Sequence, residues 1–304
     1  MSPVFSVDET KLISDAAEYL EHPTLLMRLA NSVGKPLEYL VIGAKKIAPG
    51  LVEDAVNSAL KTVLKVAMTT IPAASLDDGI AAAENINDVG SATSFWHTMS
   101  VIVMGTAGGL FGAPGLVIEL PITTTIMFRS IASIAKEFGE NLDHPDVRLQ
   151  CLAVFCLGGP GKDDDEMESA YLTAKFAMQA KLAHAVSAVA GKTAEELVAM
   201  IQKGSAPAVV SFLGKIASRF NITVTEKLVA QTIPVLGAVT GAIVNAAFMD
   251  HFNRVARFHF AIRLLERNHG VELVEVAYRD AMAKTKRSGR KTEPPAEPDM
   301  SATH

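Results

Sequence analysis

Residues 98–118 read TMSVIVMGTAGGLFGAPGLVI, and this stretch decides the fold. It holds no charged residue, and as a helix it is long enough for a bilayer, which needs about 20 residues at about 1.5 Å each. Gly105 and Gly109 stand four apart, as do Gly108 and Gly112. That small-xxx-small pattern lets two helix backbones approach closely. A second charge-free run, LVAQTIPVLGAVTGAIVNAAFM at 228–249, repeats the spacing with Gly237 and Gly241. The two runs are expected to pack together at the centre of an all-α protein, a single helical bundle.

Polar residues inside the runs favour a protein interior over lipid. From Gly112 to Pro121 the chain carries Pro114, Gly115, Glu119 and a second proline. These break a spanning helix, and a carboxylate at mid-bilayer costs about 2.5–3.5 kcal/mol. The second run includes Gln231, Thr232, Pro234, Thr240 and Asn245. Burial in a bundle is therefore the expected outcome, contact with a membrane interface the alternative, and true spanning the least favoured.

The flanking sequence is also helical in pattern. A helix is expected from Asp8 to Glu21, another after Pro23, and a third over Leu51–Thr70 with Val52, Val56, Leu60, Val63 and Leu64 at helical spacing. Pro121 reads as a helix start or kink, with an apolar helix continuing to Gly139. Asp143-His144-Pro145-Asp146 opens the next, and His22 and His144, each before proline, read as capping residues. Further helices are expected to Ala190, over Ala194–Lys203, beyond Pro207, up to a cap at Gly270, and lastly to Ala283. This gives an N-terminal extension at 1–7, one helical domain at 8–283, and a disordered basic and proline-rich tail at 284–304.

Composition limits the function classes. The 304 residues are 49% hydrophobic but only 6% aromatic, which suits helices better than strands. Mean hydropathy is +0.25, high for an ordinary soluble enzyme. A net charge of −5 gives no basic field for nucleic acid. Cys151 and Cys156 fit neither a redox nor a zinc spacing and read as buried free thiols. The N-terminus lacks the basic and apolar regions of a secretory signal, so the expected location is cytoplasmic.

No catalytic motif stands up. Gly158-Gly159-Pro160-Gly161-Lys162 is followed by Asp163, where a phosphate loop needs Ser or Thr. Asp163-Asp164-Asp165-Glu166 suits a helix N-terminus and lacks calcium-loop spacing. His251 and His259 have no third ligand at metal spacing, so neither a metal nor another cofactor is expected. The polar residues worth testing are Glu119, Thr123, Arg129 and Glu137. Glu119, Thr123, Ser130 and Glu137 share one helical face by their spacing. Asn245, Asp250, Arg254 and Arg257 on the C-terminal helix are candidates to meet them. Either they form a polar cavity, or Glu119 pairs with Arg254 or Arg257 and fixes helix register. Lys284, Lys286, Arg287, Arg290 and Lys291 form a basic cluster suited to solvent or to anionic lipid.

Three segments together resemble the EcsC family. They are GTAGGLFGAPGLVIELPITTTIMFRSIASIAKEFGE at 105–140, DHPDVRLQCLAVFCLGG at 143–159, and TIPVLGAVTGAIVNAAFMDHFNRVARFHFAIRLLER at 232–267. The resemblance spans roughly Pro23 to Arg267. It implies a hydrophobic helical protein of bacterial type, related to one encoded beside an ABC transporter, and brings no catalytic residues with it. The leading expectation is a non-enzymatic protein held peripherally at the inner face of the cytoplasmic membrane by lipid or a membrane protein, linked to transport or envelope processes. The alternatives are a lipid- or small-ligand-binding bundle with an apolar pocket near Glu119, and an enzyme of unrecognised type using Glu119 with Arg129 and His251.

Overall fold

The computed structural model describes residues 4–21, 49–69, 116–159, 169–231 and 238–290. Among them are nine helices and no strand: α1 (Val7–Glu21), α2 (Pro49–Met68), α3 (Leu116–Glu137), α4 (Pro145–Leu157), α5 (Ala170–Val189), α6 (Ala194–Gln202), α7 (Pro207–Gln231), α8 (Ala238–His269) and α9 (Val271–Arg290). The protein is all-α, as its sequence pattern requires.

The bundle is built on α3. Along α2, Val52, Ala55, Val56, Ala59, Leu60, Val63, Leu64 and Ala67 are all buried at helical spacing. Three of these are alanines, which let α3 come close, and the α2–α3 contact is the most extensive in the fold. On its other side α3 runs parallel to α8. Successive contacts Ser130–Asn253 at 2.9 Å, Glu137–Arg257 at 3.0 Å and Glu140–Arg263 at 2.9 Å advance together along both chains.

Helix α4 sits among these elements and touches α2, α3, α5, α7 and α8. Leu149 and every residue from Cys151 to Leu157 are buried, so beyond its first turns the helix is enclosed on all sides. Both cysteines are buried thiols outside any disulfide, and burial pushes the Cys151 thiol far up.

Several boundaries differ from the sequence expectation. Helix α3 begins at Leu116, so Pro121 lies inside it rather than at its start. A proline this near a helix start forfeits one hydrogen bond. Nearby, Thr124 and Thr125 donate their hydroxyls to the Leu120 and Pro121 carbonyls at 2.6 and 2.8 Å. His144 occupies the N-cap of α4 but its side chain makes no capping bond, and the helix starts on Pro145 instead. The described parts of the run 228–249 belong to α7, through Gln231, and to α8, from Ala238. Helix α9 continues to Arg290, past the expected end at Ala283 and through part of the presumed tail. Gly270, with φ +92°, turns α8 into α9, a conformation costly for other residues. Gly105, Gly108, Gly109, Gly112, Gly237 and His22 lie outside the described residues; Gly241 falls in α8.

Candidate functional site

Two buried polar layers cross the bundle. The first contains the face anticipated from α3. Glu119 is on the first turns of α3, and its carboxylate meets Lys227 Nζ, from the end of α7, at 2.7 Å. The lysine side chain is completely buried and Glu119 nearly so, at 0% and 13% exposed. The same ammonium lies 5.0 Å from the centre of the Phe248 ring on α8, within cation–π range. Glu119 thus pairs with α7, not with Arg254 or Arg257. Arg254 pairs with Asp250 on its own helix at 2.8 Å, and Arg257 reaches Glu137.

Further along this seam Thr123 and Ser130 face inward, while Glu137 and Arg257 close it at the surface. Ser130 donates to Asn253. Thr123 Oγ1, Asn245 Oδ1 and Asn253 Nδ2 are buried with no hydrogen-bond partner among the described residues. Arg129 is exposed. His251 is held elsewhere, between the Gly158 carbonyl and the Tyr19 hydroxyl. Glu119 and Lys227 thus join α3 to α7, Thr123 and Asn245 are buried on α3 and α8, and Arg129, Asp250 and Arg254 take no part in that pair.

The second layer was not anticipated. Where α4, α5 and α8 meet, Tyr171 bonds His259 Nδ1 at 3.0 Å, and Lys175 pairs with Glu266. Beside them Glu140, just past α3, receives Arg263 and Arg267, and Arg267 also caps α3 through the Phe138 carbonyl. At the outer end Glu21 accepts from Ser169, from the Ala170 amide and from Tyr278, so the end of α1 caps the start of α5. The Tyr171 and Tyr278 ring centres lie 5.3 Å apart, with the planes tilted by 38°. Sequence reading weighed His259 only as a metal ligand. Its hydrogen-bond partner, Tyr171 on α5, shares no short motif with it.

Burial sets the protonation of this layer. It pushes the Tyr171 hydroxyl well above its ordinary range, with the Glu266 charge adding to the effect. It holds His259 well below its ordinary 6.5, reinforced by Arg263 and Lys175, so the imidazole is neutral. Burial alone would raise Glu140, but Arg263 and Arg267 outweigh it and lower that carboxyl below 4.5. Below its unfolded value a His kept neutral by the fold opposes folding, because only the unfolded chain takes the proton. Stability from His259 is therefore whole above about pH 6.5 and declines below it by at most about 1.4 kcal/mol per pH unit. Glu140 has the opposite charge type but the same direction: its contribution is present above about pH 4.5 and is lost as pH falls through its lower folded value. In urea unfolding across this range, His259→Gln should remove the first decline and keep the second. A first decline unchanged by the substitution would place its origin elsewhere.

No curated protein and no solved structure matches the chain. The family model described as the EcsC protein family matches residues 26–265, most of the chain, including α2 through α7 and nearly all of α8. The parallel α3–α8 seam, the buried α4 and the Glu119–Lys227 pair all lie within that match, and the chain belongs to the EcsC protein family.

Proposed function

We propose that the protein is a non-enzymatic helical bundle that works at the cytoplasmic face of a membrane, held there peripherally, in service of transport or envelope processes. The observation that carries this reading is the start of α3. There Val117 and Ile118 are 38% and 57% exposed, at the very point where the charge-free run 98–118 enters the described bundle. By length and composition α3 could cross a membrane, as could the bent pair α6–α7 if counted as one span, yet more than half of the apolar window in α3 is buried in protein. Apolar residues exposed at one helix end, with the rest enclosed, suit contact with an interface better than a crossing. The last turns of α9 carry Lys284, Lys286, Arg287 and Arg290, and basic residues near an anionic surface contribute about 1 kcal/mol each.

Fractionation with successive salt, carbonate and detergent washes tests the proposal. Release by salt or carbonate is the expected result. Release by detergent alone would mean that the glycine-rich runs enter lipid. Recovery wholly in the low-salt soluble fraction, without binding to anionic vesicles, would sink the membrane reading.

A second reading is favoured by the unpartnered Thr123 Oγ1 and Asn245 Oδ1: a small polar ligand held near Glu119 and Lys227. Native mass spectrometry of the purified protein should then show a co-purified mass that is absent from a Thr123→Val, Asn245→Leu variant.

A further inference from the structure

Between α4, α5 and α8 is a partly open pocket of about 30 Å³, lined by Gln150, Lys175, Gln179, His259, Arg263 and Glu266 together with apolar side chains. This exceeds the roughly 10–15 Å³ that one water requires. His259 is 2% exposed, lines the cavity, and has no described partner for Nε2. Hydrogen-bond accounting assigns its tautomer. If Nδ1 carried the proton, the Tyr171 hydroxyl hydrogen and Nε2 would both be left unmatched. If Tyr171 donates to Nδ1, only one group lacks a partner, an N–H at Nε2.

The charges around the cavity are unequal. Lys175, Arg263 and Arg267 interlock with Glu140 and Glu266, which leaves three positive charges against two negative ones. Two of the cations, Lys175 and Arg263, line the cavity alongside two amide side chains and the Glu266 carboxylate that Lys175 engages. Their charge is also felt at His259, whose imidazole Arg263 and Lys175 help to keep neutral. A buried N–H with no acceptor, in a small space of positive potential, favours an anion over a water, which would bring no charge.

We propose that this cavity is a binding site for one small monovalent anion of halide size, received by His259 Nε2–H and the cationic wall of Lys175 and Arg263. The site is distinct from the Glu119–Lys227 pair and independent of membrane attachment. An anion there would neutralise the excess charge and tie α8 to α5.

The test compares thermal unfolding of the full chain in sodium chloride and in sodium gluconate at the same ionic strength, about 0.1 M, so that screening is matched. The wild type should gain a saturable ~2–4 °C in Tm from chloride, as expected for a ligand that binds only the folded state. His259→Phe, which removes the donor, should show no difference between the two salts. Bromide-soaked crystals of the wild type give a separate readout that does not depend on the folding of that variant. An anomalous peak within hydrogen-bond distance of Nε2 is expected. Equal wild-type Tm in both salts, a chloride gain that survives His259→Phe, or a cavity holding only water would overturn the assignment.

Discussion

Glu119→Gln should destabilise the protein by ~3–5 kcal/mol, the range for breaking a buried ion pair from one side. The size follows from which charge is stranded. Lys227 has no exposed side-chain surface, so without the carboxylate its ammonium is left as a buried charge without its counter-ion. The ring of Phe248 offers it only a partial substitute, about 1–2 kcal/mol at most for a desolvated pair. The reciprocal change, Lys227→Met, should cost less, ~1–3 kcal/mol, because Glu119 is 13% exposed and can recover some hydration. The double variant Glu119→Leu, Lys227→Met should lie near the wild type, since replacing both members by apolar residues removes the desolvation cost along with the attraction. Urea unfolding of the wild type, Glu119→Leu, Lys227→Met and the double variant closes the cycle, with Glu119→Gln as the isosteric comparison. Additive losses in the double variant would mean that the two side chains act through separate contacts, and that the pair does not register α3 against α7.

That pair also marks where sequence reading ran out. The helices were legible because Val, Leu and Ala recur at helical spacing in α2, and because His-Pro and Gly-Gly bracket α4. The polar face of α3 was legible for the same reason: Glu119, Thr123 and Ser130 do turn inward together. Choosing a partner for Glu119 was another matter. The arginines of α8 seemed suitable because α8 does lie against α3, but Arg254 is neutralised one turn away by Asp250. Lys227 stands 108 positions from Glu119, directly before a charge-free run, and reads there as the polar end of a helix. Periodicity reports which face of a helix is buried and says nothing about which neighbour covers it. The His259 layer escaped for a related reason, since its members come from α3, α4, α5 and α8 and meet only through tertiary packing.

The junction of α4, α7 and α8 should be the most sensitive apolar point in the bundle. Phe252 is fully buried there, with ring centres 5.2 Å from Phe155, 5.6 Å from Phe220 and 5.3 Å from Phe248. The last two contacts are edge to face, the geometry that aromatic quadrupoles favour. Phe252→Ala should therefore cost ~3–5 kcal/mol, since three rings from different helices cannot all collapse into the space. The end of α4 is fitted to the same ring. A Cβ on Gly158 would lie 2.7 Å from Phe252 Cε1 and 3.0 Å from His251 Nε2, the nitrogen that bonds the Gly158 carbonyl. The backbone of Gly158, with φ −87°, is ordinary, so a side chain is excluded by the close approach alone. Gly158→Ala should cost ~1–3 kcal/mol by overpacking. The two losses should not add: once Phe252 is alanine, the new methyl group has room, and Gly158→Ala should become close to neutral in that background. Thermal or urea unfolding of the single and double variants measures this coupling directly. A Gly158→Ala cost that is the same with and without the Phe252 ring would show that the methyl group strains the hydrogen bond to His251 instead, and that the ring is not what requires glycine at the end of α4.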